Sequence, residues 1–134
     1  MATVKQTDSD SEQGPLKAGC LWRDVFNHVT SRWGFLILIA LADGPLRFYV
    51  LRNSVEGISE KMLSQTLKLL MRDGLVSRHV EETIPPRVTY ALTDMGHAIT
   101  THLNGVSNWI GDHVDAIAQA QKQFDLERED STRT

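Results

Sequence analysis

The clearest pattern of apolar and polar positions lies between Ile58 and Gly74. Leucines recur there at intervals of four and three residues: Leu63, Leu67 and Leu70. This spacing places them on one face of a helix, which must face a core. Ser59 can cap the first turn, and Gly74 suits the left-handed turn that ends a helix. The opposite side, which we call the basic face, carries four hydrogen-bond donors: Lys61, Gln65, Lys68 and Arg72.

Three shorter helical stretches precede this basic helix. They run from Leu21 to Val29, from Trp33 to Ala42 and from Arg47 to Ser54. The second stretch is apolar nearly all round, which predicts the central element of the core. Asp43-Gly44-Pro45 ends it. A short helix, a tight turn and a second helix with a polar outer face form the order of a helix-turn-helix.

After Gly74 the pattern changes from helical to alternating. Leu75 to Glu82 and Arg87 to Thr93 each predict a strand. The residues between them, Thr83-Ile84-Pro85-Pro86, predict a hairpin tip because proline cannot donate to a strand ladder. A hairpin directly behind a helix-turn-helix is a wing. The predicted fold is therefore mainly α with a small β-hairpin wing (α+β), a winged helix-turn-helix with N- and C-terminal dimerisation helices.

The last predicted helix begins after Thr93, which can cap it, and runs from Asp94 to Phe124. Its apolar seam is longer than one small domain can cover, which predicts a homodimer. The alternative is a helix folded back on its own domain. The predicted dimer interface consists of Ile99, Leu103, Val106, Trp109, Ile110, Val114 and Ile117.

The two ends of the chain are polar. Residues 1–15 predict a disordered arm, and residues 126–134 predict a flexible tail. Residues 16–125 between them have the length and the apolar content of one globular domain, with the wing at 75–93 and the C-terminal helix at 94–124.

Composition limits the cellular compartment and the kinds of chemistry that we expect of this protein. No apolar run reaches the roughly 20 residues of a bilayer span, and the N-terminus lacks a secretion signal. The single cysteine excludes an internal disulfide and favours the cytoplasm. The five histidines lack metal-ligand spacing, and no catalytic motif is present. We therefore predict no metal, no cofactor, no membrane partner and no enzymatic activity.

Charge is distributed unevenly along the chain. The formal net charge is −3, but the stretch from Arg47 to Tyr90 carries +2 and the remainder −5. The basic face has the donors that phosphates and base edges require, although a solvated surface helix has the same composition. The predicted contacts with double-stranded DNA are Arg47, Ser59, Lys61, Ser64, Gln65, Lys68, Arg78 and Arg87.

Between Cys20 and Val106 the chain resembles the HxlR-type transcriptional regulators, which belong to the MarR-like superfamily. The specific runs are Arg47-Phe48 with Leu51, then Gly74-Leu75-Val76-Ser77-Arg78, then Pro85 to Gly96. The resemblance implies a dimeric bacterial winged helix-turn-helix protein that binds operator DNA, by default as a repressor. The chain departs from the family pattern in three places: Leu21 follows Cys20, Ser31-Arg32 precedes Trp33, and Val50 precedes Leu51.

The resemblance also implies a signal, since several members of the family sense oxidants or electrophiles through a cysteine at the position of Cys20. An inert packed thiol is the alternative role for Cys20. A cavity between Trp22, Trp33 and Trp109 is a candidate site for a small effector, with core packing as the alternative. A winged helix can also serve as a protein-interaction module without DNA binding.

Overall fold

The fold is that of a computed structural model, which describes residues 14–133. The described part of the chain divides into two compact units, residues 14–100 and 101–133. The predicted arm, residues 1–15, lies outside the described residues except for its last two positions.

Within residues 14–133, five helices and a small antiparallel sheet give a mainly helical α+β winged helix-turn-helix, as predicted. In chain order the elements are α1 (Leu21–Thr30), α2 (Arg32–Leu41), β1 (Leu46–Arg47), α3 (Phe48–Ser54), α4 (Glu60–Arg72), β2 (Val76–Glu81), β3 (Arg87–Leu92) and α5 (Asp94–Arg133).

The core lies around α2 and the inner face of α4. The α2 side chains Ile37, Leu38 and Leu41 have no solvent exposure. The three leucines predicted to face inward from α4 are exposed by 1% or less. Full burial of one such side chain contributes about 1.5–3 kcal/mol, so these contacts hold α4 against the core. The predicted inner face of the basic helix is confirmed.

Both ends of α4 follow the predicted cap chemistry. The Ser59 hydroxyl accepts a hydrogen bond from the Met62 amide at 3.1 Å. At the other end, the Leu75 amide donates to the Leu70 carbonyl and the Gly74 amide to the Met71 carbonyl. This pair of bonds is a Schellman motif, and it requires the positive φ of +78° that Gly74 adopts.

The wing contains one strand more than the hairpin that the sequence predicted. β2 pairs with β3 from Val76↔Leu92 to Glu81↔Arg87, and β1 pairs with the other edge of β3. Arg47 therefore lies in β1, opposite Thr89, and precedes α3 as its extended N-cap instead of starting the helix. A two-residue strand has no alternating pattern that a sequence could show, and its partner is distant along the chain.

The predicted end of the last helix is wrong. α5 begins after Thr93 as expected, and the Thr93 hydroxyl accepts from the Gly96 amide at 3.0 Å. The helix then continues beyond Phe124 to Arg133, through the residues expected to form a tail. No glycine or proline follows Gly111. Leucine, glutamate and arginine at positions 126–129 also favour helix, so nothing local ends it earlier.

None of the helices in residues 14–133 combines the length and the hydropathy that a membrane crossing requires.

Candidate nucleic-acid interface

The outer side of α4 is a solvent-facing row of hydrogen-bond donors. All four residues of the basic face are exposed, and Ser64 is exposed beside them. Within residues 14–133, the side chains of Lys61, Gln65 and Lys68 have no hydrogen-bond or ion-pair partner. Their donors are therefore available to an external ligand.

Ser59 lies at the N-terminal end of the same helix. Its hydroxyl oxygen accepts the capping bond from Met62, which leaves the hydroxyl hydrogen available to an external acceptor. The positive end of the α4 dipole also lies here, which favours an anion. Nearby, Arg52 forms an exposed ion pair with Glu60 at 3.5 Å. Such surface pairs contribute about 0–1 kcal/mol, so this one adds little to the position of α4.

A cleft of about 790 Å³ opens between α3, the edge of α4 and the wing. It brings together four residues that the sequence predicted separately: Arg47, Ser64, Arg78 and Arg87. No acidic side chain is among the residues that line it. Guanidinium groups bind phosphate oxygens with two parallel hydrogen bonds. Three guanidinium groups on one cleft therefore give it the positive charge and the paired donors that a phosphate group requires.

The wing places its two arginines along one edge of this cleft. Arg78 on β2 lies opposite Tyr90 on β3, and Arg87 begins β3 directly after the hairpin tip. At the tip, Ile84 is fully exposed, and the Thr83 hydroxyl donates to the Pro85 carbonyl at 2.9 Å. The tip is thus an exposed, internally bonded turn beside a cation.

Tyr49 is a cleft residue that the sequence analysis missed. Its ring is 60% exposed and lines the cleft beside Arg47. Helical spacing contained the signal, because Phe48 and Leu51 lie three residues apart on one face of α3 and Tyr49 does not share that face. An exposed tyrosine can stack on a sugar or donate its hydroxyl to a phosphate.

The predicted dimer residues fall in both units. In the first, Ile99 lines an apolar groove of about 410 Å³ along α1, formed with Leu21, Trp22, Val25, Phe26 and Val29. The rings of Trp22 and Phe26 stack in it with centroids 5.1 Å apart. Trp33 does not line this groove. The Trp33 ring instead extends toward Gly57.

In the second unit, α5 carries a stripe of large apolar side chains that are about half exposed: Val106, Trp109, Ile110 and Val114. Leu103 differs from them because it is buried, and Ile117 is partly covered. Trp109 stacks on His113 with ring centroids 4.2 Å apart. Soluble monomers rarely leave such a contiguous stripe uncovered.

Cys20 is a half-buried free thiol at the N-cap position of α1. Its sulfur lies 3.2 Å from the Lys17 carbonyl and 3.8 Å from the Gly14 carbonyl. Residues 14–133 contain no group of three or more His, Cys, Asp or Glu side chains that could hold a metal ion.

Comparison with known proteins gives consistent results. The family model described as HxlR-like helix-turn-helix matches residues 28–118. The chain is 45% identical over 110 residues to the HTH-type transcriptional regulator YtfH of Escherichia coli, covering 82% of this chain and 87% of that one.

Solved structures agree with this result. The transcriptional regulator ytfH from Salmonella typhimurium is 39% identical with a TM-score of 0.77, over 83% of this chain and 99% of that one. The redox regulator HypR in its reduced form is 26% identical with a TM-score of 0.67, over 72% of this chain and 96% of that one.

Proposed function

The chain belongs to the HxlR-like helix-turn-helix family of transcriptional regulators, and on that premise we propose that it is a homodimeric, sequence-specific DNA-binding repressor. One observation carries the proposal: Ser64 of α4 lines the same cleft as three arginines of β1 and the wing. A helix with exposed donors thus adjoins a cationic cleft, which suits a helix in a major groove beside a phosphate strand. Such a regulator acts in the cytoplasm, where its operator lies.

The residue types suggest how the contacts divide. Gln65 suits the N6 and N7 edge of adenine, and Lys61 suits guanine or a phosphate. Each well-placed bidentate base contact provides about 1–3 kcal/mol of discrimination. Ser59, Ser64 and Lys68 extend the contacts on α4 to phosphates or base edges. Arg47, Arg78 and Arg87 bind the backbone, and Arg87 can also enter the minor groove.

A dimer would present two copies of α4 to one duplex. The exposed stripe on α5 and the apolar groove on α1 are the surfaces we propose for the partner copy. The two α4 helices then enter successive major grooves about 34 Å apart. The operator should therefore contain two inverted half-sites at that spacing.

Selection from a fragmented genomic DNA pool, followed by fluorescence anisotropy on the selected site, tests the function. We expect Lys61→Ala/Gln65→Ala/Lys68→Ala to abolish operator binding while circular dichroism and sedimentation remain unchanged. A triple variant that binds like the wild type would reject the assigned face. No selected DNA at moderate salt would instead favour the protein-interaction module.

We also propose Cys20 as the site of an oxidant or electrophile signal. HypR, a redox regulator, supports this by similarity, and the thiol at the α1 N-cap is partly accessible. In the proposed step, the thiolate attacks hydrogen peroxide, forms a sulfenic acid and releases hydroxide. Peroxide should then change operator affinity in the wild type but leave Cys20→Ser unaffected. An equal response of both proteins would reject Cys20 as the sensor. A small effector bound in the α1 groove would then be the next candidate signal.

A further inference from the structure

Three residues, Asp73-Gly74-Leu75, connect α4 to the first strand of the wing. Gly74 reverses the chain direction with its positive φ, and two other parts of the first unit hold this junction. On one side, the Thr93 hydroxyl donates to the Gly74 carbonyl at 2.6 Å, and the Thr93 amide donates to the Leu75 carbonyl at 3.0 Å. On the other side, α1 contacts Asp73.

The contact with α1 is a short hydrogen bond in a mostly buried position. The His28 ring nitrogen Nδ1 lies 2.6 Å from Asp73 Oδ2, and the side chains are only 18% and 8% exposed. A neutral ring with its proton on Nδ1 and an imidazolium both donate to the carboxylate. If His28 were absent, the Asp73 carboxylate would remain buried without its partner, which is strongly unfavourable.

His28 is itself held firmly in place. It lies in the last turn of α1, and its carbonyl accepts a hydrogen bond from the Ser31 hydroxyl at 3.0 Å. Position 34 is a glycine because a Cβ there would lie 1.9 Å from the His28 carbonyl oxygen. α1 and α2 therefore approach closely at this point, and the His28 backbone is part of the contact. The imidazole is a fixed donor against which the end of α4 is positioned.

The location of the pair matters because α4 and the wing would contact the same DNA. Asp73 is the C-cap of α4, and β2 begins three residues later at Val76. A small rotation about the junction would move Arg78 and Arg87 relative to Lys61 and Gln65. Binding constellations require placement within about 0.5 Å. A donor that fixes this junction can therefore determine whether both elements bind at once.

We propose that His28 is a positioning residue that, through Asp73, sets the angle between α4 and the wing. This assignment rests on the proposed DNA-binding function and adds to it a residue that does not itself touch DNA. It also makes α1 an element whose movement would alter DNA binding, because α1 carries His28. The same helix has Cys20 at its N-cap.

A double-mutant cycle on the full-length protein tests the assignment, with operator affinity measured by fluorescence anisotropy. His28→Phe keeps a ring but removes the donor, and Arg87→Ala removes one of the two proposed wing contacts. We expect His28→Phe to weaken binding about tenfold in the wild-type background, in line with the 1.4 kcal/mol that separates tenfold affinities. In the Arg87→Ala background we expect less than about threefold, because one of the two proposed wing contacts is already absent there.

Variants at Asp73 test the same contact by changing the carboxylate instead of the imidazole. Asp73→Ala should reproduce the loss, which keeps the test decisive if His28→Phe does not fold. Asp73→Asn retains an oxygen acceptor for a neutral ring and should remain within about threefold of wild type. Asp43→Ala is the matched control, since it removes an exposed carboxylate away from the junction and changes net charge equally.

Wild-type affinity in both His28→Phe and Asp73→Ala would overturn the proposal. Equal weakening by His28→Phe with and without Arg87 would overturn it as well, because the effect would then not act through the wing. If the wild type binds no DNA at all, the proposed function itself fails, and this outcome is known before the double-mutant cycle is measured.

Discussion

The salt dependence of DNA binding gives the most quantitative test of the interface. Each cation that neutralises a phosphate contributes about 0.9 to the slope of log affinity against log salt concentration on B-DNA. Five proposed cations per protomer, ten in a dimer, predict a slope of about −9. They are Arg47, Lys61, Lys68, Arg78 and Arg87, and all are exposed.

The perturbation is Lys61→Ala/Lys68→Ala, which removes four of the ten contacts and predicts a slope of about −5.4. From about 50 to 200 mM salt, the wild type should lose roughly 3 × 10⁵-fold in affinity and the variant roughly 2 × 10³-fold. Both positions are exposed and helical, and alanine favours helix, so folding stability should change by less than about 0.5 kcal/mol.

The assay is fluorescence anisotropy on one operator duplex at five or more salt concentrations. Lys122→Ala is the control, because it removes an exposed lysine of α5 and should leave the slope unchanged. If the double variant kept the wild-type slope, Lys61 and Lys68 would not contact phosphate, and the assignment of the basic face would be refuted.

Three further predictions concern folding and assembly. In urea unfolding, Gly34→Ala should destabilise the fold by about 3 kcal/mol, since the added Cβ would collide with a carbonyl oxygen. Gly105→Ala, whose Cβ would have no atom within 4 Å, should stabilise the fold by about 0.5–1 kcal/mol. Equal effects of the two substitutions would contradict this reasoning. Thr93→Val should cost about 1–2 kcal/mol by losing two hydrogen bonds, and Thr93→Ser should restore most of it. Val114→Glu should produce monomers in sedimentation, whereas Asn108→Glu, on another side of α5, should not. If the dimer persists in Val114→Glu, the α5 stripe is not its interface.

Features governed by local periodicity and capping were predictable from the sequence. The leucine spacing of α4, the Ser59 cap and the Gly74 turn each depend on residues within one or two turns of each other. The change from helical to alternating pattern likewise predicted the wing. The outward position of the charged residues on α4 was predictable for the same reason, because it follows once the inward face is known.

Contacts between residues far apart in the chain were decided only by the tertiary structure. β1 exists because Leu46 and Arg47 meet Tyr90 and Thr89, more than 40 residues later. The arginine cleft exists because that pairing brings Arg47 to the wing. His28 showed no pattern of its own, yet it meets Asp73 across 45 residues. A one-dimensional pattern records which face of an element is buried but not which element covers it, so these partners appear only when the helices and the sheet pack together.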